Sequence, residues 1–231
     1  MANILNIETS TDVCSVALSS EGGILIHHED FKGQNHALLL SGFIEDVLKY
    51  VASREIKLDA VAISIGPGSY TGLRIGLSEA KGLCFGLGIP LIGIDTLKLL
   101  AVSVMFNHEI TDDDTLFVPM IDARRMEVFT GVYDIALNEI IKQAPLIIDE
   151  NAFSDLINSG KKLLFFGNGA EKTYNAIKND NIKFIPNIKP VALDMIALSE
   201  KAFRNNDFID LAYSTPKYLK EFQATISKKA L

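Results

Sequence analysis

Short apolar runs alternate along this chain with longer segments of helical period. Residues 4–7, 13–18 and 24–28 read as three strands, the last following the Glu21-Gly22-Gly23 turn. Residues 37–52 place Ala37, Leu40, Ile44, Val47 and Val51 on one helical face, while Leu39, Phe43 and Tyr50 widen it to a second, with a cap near Asn35. A strand at 60–65, a helix running to about Gly86 and a strand at 91–94 complete the first half. The second half repeats the order: strands at 116–121, 127–133 and 139–148, a short helix at 153–158, a strand at 162–166, a helix at 170–178, a strand at 182–185 and a helix at 193–203. Two successive β-β-β-α-β-α-β blocks predict two similar α/β lobes of mixed sheets flanked by helices, facing each other across a cleft. The expected division is 1–103, 104–213 and a tail at 214–231.

The segment from Ser64 to Gly88 departs most from an ordinary pattern. Gly66-Pro67-Gly68 turns the chain sharply after a strand, and Ser69 and Thr71 are suited to cap the helix that follows. A glycine-rich turn between strand and helix can cradle an anion, but neither the phosphate-loop nor the dinucleotide-loop spacing is present. Along the helix, Leu73, Leu77, Ala80, Cys84 and Leu87 form an apolar face. Gly72, Gly76 and Ala80 form a stripe of small residues, and Gly82 and Gly86 another. Each helical glycine costs roughly 0.5–1 kcal/mol against alanine, which a closely packed second backbone would offset. That backbone belongs either to the same domain or to another subunit. Arg74, Ser78, Glu79 and Lys81 crowd one polar side, where Arg74 and Lys81 are candidate rim contacts.

Composition narrows the field only modestly. The 231 residues are 48% hydrophobic and 22% charged, sufficient for a substantial core. A net charge of -7 argues against a general nucleic-acid coat or a binder of anionic membranes, though it leaves room for a local basic patch. Met1-Ala2-Asn3 leads straight into a strand and no apolar run is long enough to span a bilayer, so a cytoplasmic protein without a signal peptide is expected. Cys14 and Cys84 sit among apolar neighbours and read as buried free thiols. The acidic run within 111–115 reads as a solvated loop.

Matching positions of the two blocks hold acids. Glu8 precedes Thr9 and Ser10, and Asp122 precedes Ala123 and Arg124. A carboxylate at a strand end facing a turn is where two-lobed phosphotransferases hold metal and phosphate. Glu8, Thr9, Ser10, Asp122 and Arg124 are therefore a candidate residual nucleotide or phosphate loop. The alternative is that each acid hydrogen-bonds its own turn. The four histidines have no metal-ligand spacing, and neither cysteine has a histidine nearby in sequence.

Ile7-Glu8-Thr9-Ser10, Gly66-Pro67-Gly68-Ser69-Tyr70-Thr71-Gly72-Leu73-Arg74, Ala80-Lys81-Gly82, Asp122-Ala123-Arg124-Arg125 and Pro216-Lys217-Tyr218-Leu219-Lys220 together resemble the TsaB family, with a lysine at the end of the last motif where the family has arginine. These are the dimerisation subunits of the bacterial complex that makes threonylcarbamoyladenosine beside the tRNA anticodon, in tRNAs reading codons that begin with A. They are similar to the glycoprotease-like branch of the actin/Hsp70/sugar kinase superfamily, and the resemblance implies two tandem RNase H-like lobes.

The catalytic paralogue of that complex carries a His-x-x-x-His metal pair just after the strand that ends the first lobe. Thr96 and Leu100 stand at those positions here; leucine cannot ligate, and a neutral threonine is a poor ligand. The resemblance therefore implies a chain with no catalytic residue and no metal of its own. It would pair with the catalytic paralogue through Leu39, Phe43 and Tyr50 of one helix and Gly72, Leu73, Arg74, Gly76, Leu77, Ala80, Lys81 and Leu83 of the other. The same surface could drive homodimerisation. A bulky residue at Gly76 or Gly82 is expected to break pairing while leaving the fold intact. The pathway's small ATPase is a further implied partner, tRNA an indirect one, and ATP or ADP is expected only in the assembled complex. The competing reading is an active kinase or carbamoyltransferase using Glu8, Thr9 and the Gly167-Asn168-Gly169 turn. A nuclease would need more acids converging on a metal pair than the first lobe supplies.

Overall fold

The computed structural model describes residues 2–33, 35–110 and 114–220. Its first lobe is built from β1 (Asn3–Glu8), β2 (Cys14–Ser20), β3 (Gly23–Asp30), α1 (His36–Ser53), β4 (Ala60–Gly66), α2 (Tyr70–Leu87) and β5 (Leu91–Asp95). After α3 (Thr96–Asn107) comes a second lobe of β6 (Thr115–Asp122), β7 (Glu127–Tyr133), β8 (Glu139–Ile147), α4 (Ser154–Asn158), β9 (Lys162–Phe166), α5 (Ala170–Ala176) and β10 (Ile182–Ile185), closed by α6 (Ile196–Arg204).

Both sheets have the same plan. The first runs β3-β2-β1-β4-β5 and the second β8-β7-β6-β9-β10. In each, the first three strands form an antiparallel meander, and the fourth joins the first in parallel through a helix. Central strands such as β1 and β6 are buried on both faces, which is why they read as continuous apolar runs rather than alternating ones. The chain is thus a two-lobe α/β protein of mixed sheets flanked by helices, as the repeated element order predicts. The acidic run is described only at Asp114, which pairs with Lys161; residues 111–113 lie outside the described residues.

The helix α3 is absent from the sequence reading. Residues 96–107 are apolar on every side, so no polar face marks a helical period. Leu97, Leu100, Ala101 and Val104 pack into the core of the second lobe, and Leu99 into a cluster with Ile4, Ala62, Ile92 and Ile94 of the first. The helix is buried between the lobes, and the expected boundary at 103/104 falls inside it.

Asp95 anchors its start. One carboxylate oxygen accepts from the backbone N–H groups of Leu97 (3.0 Å) and Lys98 (3.1 Å), a helix N-cap. The other accepts from Gln143 Nε2 of β8 at 2.5 Å and from Lys217 Nζ at 3.3 Å. One side chain therefore joins the first lobe, the second lobe and the C-terminal segment. Asp95→Ala is expected to cost about 2–3 kcal/mol, a cap plus charge-assisted bonds. Urea denaturation measures this, and an unchanged midpoint would refute the anchoring role.

The C-terminal segment packs back on the first lobe. Ile209 N donates to Leu91 O at 2.9 Å and Lys217 N to Ile65 O at 2.7 Å. Beyond them Lys220 pairs with Glu127 of β7 at 2.6 Å, carrying the segment across to the second lobe.

Candidate functional site

The turn after β1 is closed. Glu8, Thr9 and Ser10 are fully buried, and one Glu8 carboxylate oxygen accepts from both the N–H and the hydroxyl of Ser10, each at 2.5 Å. Burial pushes this carboxyl above the ordinary range, and the bonds from Ser10 oppose that only in part. The start of α2 lies directly against the turn: Ser69 N donates to Ser10 O at 2.6 Å. A Cβ on Gly68 would come within 2.3 Å of Ser10 O, one on Gly72 within 2.2 Å of Thr9 O, and one on Gly76 within 2.2 Å of Thr9 Oγ1. The protein's own backbone fills the position beside the turn. Glu8, Thr9 and Ser10 do not fit a bound phosphate.

The matching turn of the second lobe is also occupied by its own chain. Asp122 N donates to Asn168 Oδ1 at 2.8 Å, and the Asp122 carboxylate accepts from Arg124 N at 3.3 Å and from Lys172 Nζ. In the Gly167-Asn168-Gly169 turn, a Cβ on Gly167 would sit 2.3 Å from Met120 O and one on Gly169 2.9 Å from Val128 Cγ1, so this turn packs on β6 and β7. A cavity of about 450 Å³ opens elsewhere, lined by Asp95, Lys98, Glu139, Lys142, Gln143 and Lys217. Glu8 and Asp122 do not line it. The residues proposed for a nucleotide are not brought together into one.

Helix α2 divides its residues between two environments. Gly72, Leu73, Gly76, Leu77, Ala80 and Cys84 are buried against the first sheet. The close backbone that the glycines accommodate is thus Thr9–Ser10 of the same chain. This corrects the expectation that a bulky residue at Gly76 leaves the fold intact, because its Cβ would meet Thr9 Oγ1 and, at 2.9 Å, Ile63 Cδ1. Arg74 and Lys81 are engaged by the C-terminal segment: Arg74 Nε donates to the Tyr218 hydroxyl at 3.0 Å, and Lys81 Nζ to the carbonyls of Ala212 (3.1 Å) and Ser214 (2.7 Å).

The outward side of the two helices is different. Leu39, Phe43, Tyr50 and Leu83 are half-buried at the border of the first-lobe core. Beyond them Leu38 is 81% and Phe85 83% exposed, and a Cβ at Gly42, Gly82 or Gly86 meets no heavy atom within 4 Å. Sequence reading passed over Leu38 and Phe85. The signal was present, since Gly82, Phe85 and Gly86 lie on one face at helical spacing, as do Leu38 and Gly42.

Thr96 and Leu100 lie in the core, fully and almost fully buried. Among the described residues no group of three or more His, Cys, Asp or Glu side chains is disposed to hold a metal ion. Cys14 and Cys84 are buried free thiols whose ionisation burial pushes up to about 11, which makes them poor nucleophiles. Among the described residues no helix is long and apolar enough to cross a membrane.

Comparison with known proteins agrees with this architecture. The family model described as "TsaD: tRNA N6-adenosine threonylcarbamoyltransferase" matches residues 19–231. The tRNA threonylcarbamoyladenosine biosynthesis protein TsaB of Escherichia coli is 35% identical over 130 residues, 56% of this chain and 54% of that protein, so the match spans about half the relative's length. TsaB of Buchnera aphidicola subsp. Baizongia pistaciae is 31% identical over 178 residues, 74% of this chain and 77% of that one. A crystal structure of an uncharacterized protein from Pseudomonas aeruginosa with similarity to peptidase YEAZ superposes with a TM-score of 0.81 at 25% identity, covering 95% of this chain and all of that one. With the two-lobe fold and matches that run over most of the chain, this protein belongs to the TsaB family.

Proposed function

We propose that this chain is a non-catalytic subunit in the formation of threonylcarbamoyladenosine in tRNA, working in the cytoplasm by pairing with a TsaD-type catalytic relative. The observation that carries the reading is the contrast between the two helical faces and the strand-end turns. Each turn that would hold a phosphate in an active member of the superfamily is filled by the chain's own backbone or paired by its own lysine. By the resemblance, Thr96 and Leu100 stand where the catalytic paralogue carries its metal pair, and both are core residues here. What the chain offers instead is an outward apolar surface on α1 and α2 around Leu38, Phe85 and Leu87. Leu39, Phe43, Tyr50 and Leu83 border that surface. Gly82 and Gly86 let a partner helix approach closely. The same surface would serve a homodimer when the partner is absent, and the pathway's small ATPase would act on the assembled pair.

The test is reconstitution with purified components. TsaD-type relative, ATPase, threonylcarbamoyl-adenylate and tRNA are combined with and without this chain, and modified nucleoside is measured. Product is expected only when the chain is present, and none from the chain without the relative. Equal product in both mixtures would remove the chain from the pathway. Phe85→Asp is expected to abolish co-elution with the relative while leaving the melting temperature unchanged, because that ring has little contact within its own chain.

A further inference from the structure

The turn between β6 and β7 holds two adjacent non-glycine residues in the left-handed region, Arg124 at φ 68° and Arg125 at φ 49°. L-residues take this conformation at a cost, and it persists where surrounding bonds over-determine it. Here they do. Ala123 N donates to Glu127 O at 3.0 Å, Glu127 N to Arg124 O at 3.2 Å, and Ile148 N to Met126 O at 2.8 Å. Lys172 reaches in from α5 and donates to the carbonyls of Arg125 and Glu127, both at 2.7 Å, as well as to the Asp122 carboxylate.

The charges of the turn are arranged unequally. Asp122 is paired by Lys172, and Glu127 by Lys220. Both acids are thus neutralised inside the turn. Arg124 and Arg125 are exposed, and neither guanidinium has a hydrogen-bond or ion-pair partner among the described residues. The structure therefore maintains a strained backbone that carries two exposed, unpaired arginines at adjacent positions of a rigid turn.

We propose that Arg124 and Arg125 are a preorganised clamp for the phosphate backbone of RNA, an inference that rests on the proposed role in tRNA modification. The guanidinium fork matches a phosphate bidentately. A backbone already locked loses little further freedom on binding. With the whole chain at -7, no broad electrostatic surface attracts RNA, so the contact is local and positions the tRNA without reading its bases.

The experiment measures fluorescence anisotropy of a labelled, unmodified tRNA transcript. It is titrated with the TsaD-type relative plus either the wild-type chain or Arg124→Gln/Arg125→Gln, over a range of salt. The double variant is expected to bind about tenfold more weakly, with a log–log salt slope shallower by about one to two, as for one or two lost phosphate contacts. Arg124→Lys/Arg125→Lys should keep the slope and recover part of the affinity, whereas the remote Lys57→Gln should change neither. The Gln variant should melt like wild type, since the side chains have no partners to lose. Unchanged affinity and slope would overturn the inference. Loss of co-elution with the relative would also overturn it, by assigning the arginines to a protein interface. Modified nucleoside is followed in parallel. If product requires the wild-type chain while the Gln variant binds tRNA equally well, only the clamp fails; if product never requires the chain, the functional reading fails and takes the clamp with it.

Discussion

Gly72→Ala is expected to destabilise the folded chain by about 3 kcal/mol, at the upper end of over-packing costs. The added methyl group would lie 2.2 Å from the carbonyl oxygen of Thr9, a backbone atom between β1 and the buried Ser10 that cannot rotate aside as a side chain would. Either α2 lifts from the sheet, exposing Leu73, Leu77 and Ala80, or the turn that holds Glu8 distorts. Both outcomes lose core contacts. The same substitution ten residues further along has the opposite sign. At Gly82 a methyl group meets nothing within 4 Å, and Gly82→Ala should stabilise by about 0.5–1 kcal/mol through helix propensity. Denaturant midpoints of the two variants decide the matter. A Gly72→Ala chain as stable as wild type would show that α2 does not sit against Thr9. A destabilised Gly82→Ala would show that its face is covered within the chain.

Glu8→Gln is expected to gain stability relative to wild type as pH rises. The Glu8 carboxyl is completely buried, and its pKa in the folded protein lies above the ordinary 4.5. Between those two values the folded state holds a proton that the unfolded state has released, so unfolding becomes easier with increasing pH. The contribution of Glu8 is therefore fully present below about pH 4.5 and is lost as pH rises through the folded-state value. Each unit of elevation is worth about 1.4 kcal/mol. Glutamine is neutral throughout and can still accept from Ser10, so the difference between variant and wild type isolates the one ionisation. Urea unfolding of both proteins across the acidic to neutral range measures it. A difference that stays constant with pH, or that favours wild type at high pH, would contradict the buried, proton-retaining carboxyl.

The element order was legible because strands and helices announce themselves by different apolar periods, and because Gly-Pro-Gly and Gly-Gly punctuate them. β4, α2, β5, β7, β9 and β10 lie within a residue or two of where pattern places them. The one missing element, α3, failed for a physical reason. Periodicity detects a helix only when one side meets water, and α3 meets a lobe on each side.

The sites divide in the same way. Sequence alone determined that α2 carries small residues four apart, that acids end the first strands of both lobes, and that the chain has the family motifs. It could not say which backbone the small residues admit, because a glycine stripe fits a neighbouring turn as well as a neighbouring subunit. The approach of Thr9 to Gly72 and Gly76 decided that. Nor could sequence show that Arg74 and Lys81 are held by the C-terminal segment, since those partners lie more than 130 residues apart along the chain. The left-handed pair Arg124–Arg125 is likewise invisible in composition. Arginine carries no local preference for that conformation, and the turn's own backbone bonds together with Lys172, reaching across from α5, hold it there. Local chemistry specified the repeated lobes, and packing between distant segments decided which of their surfaces are closed and which remain open.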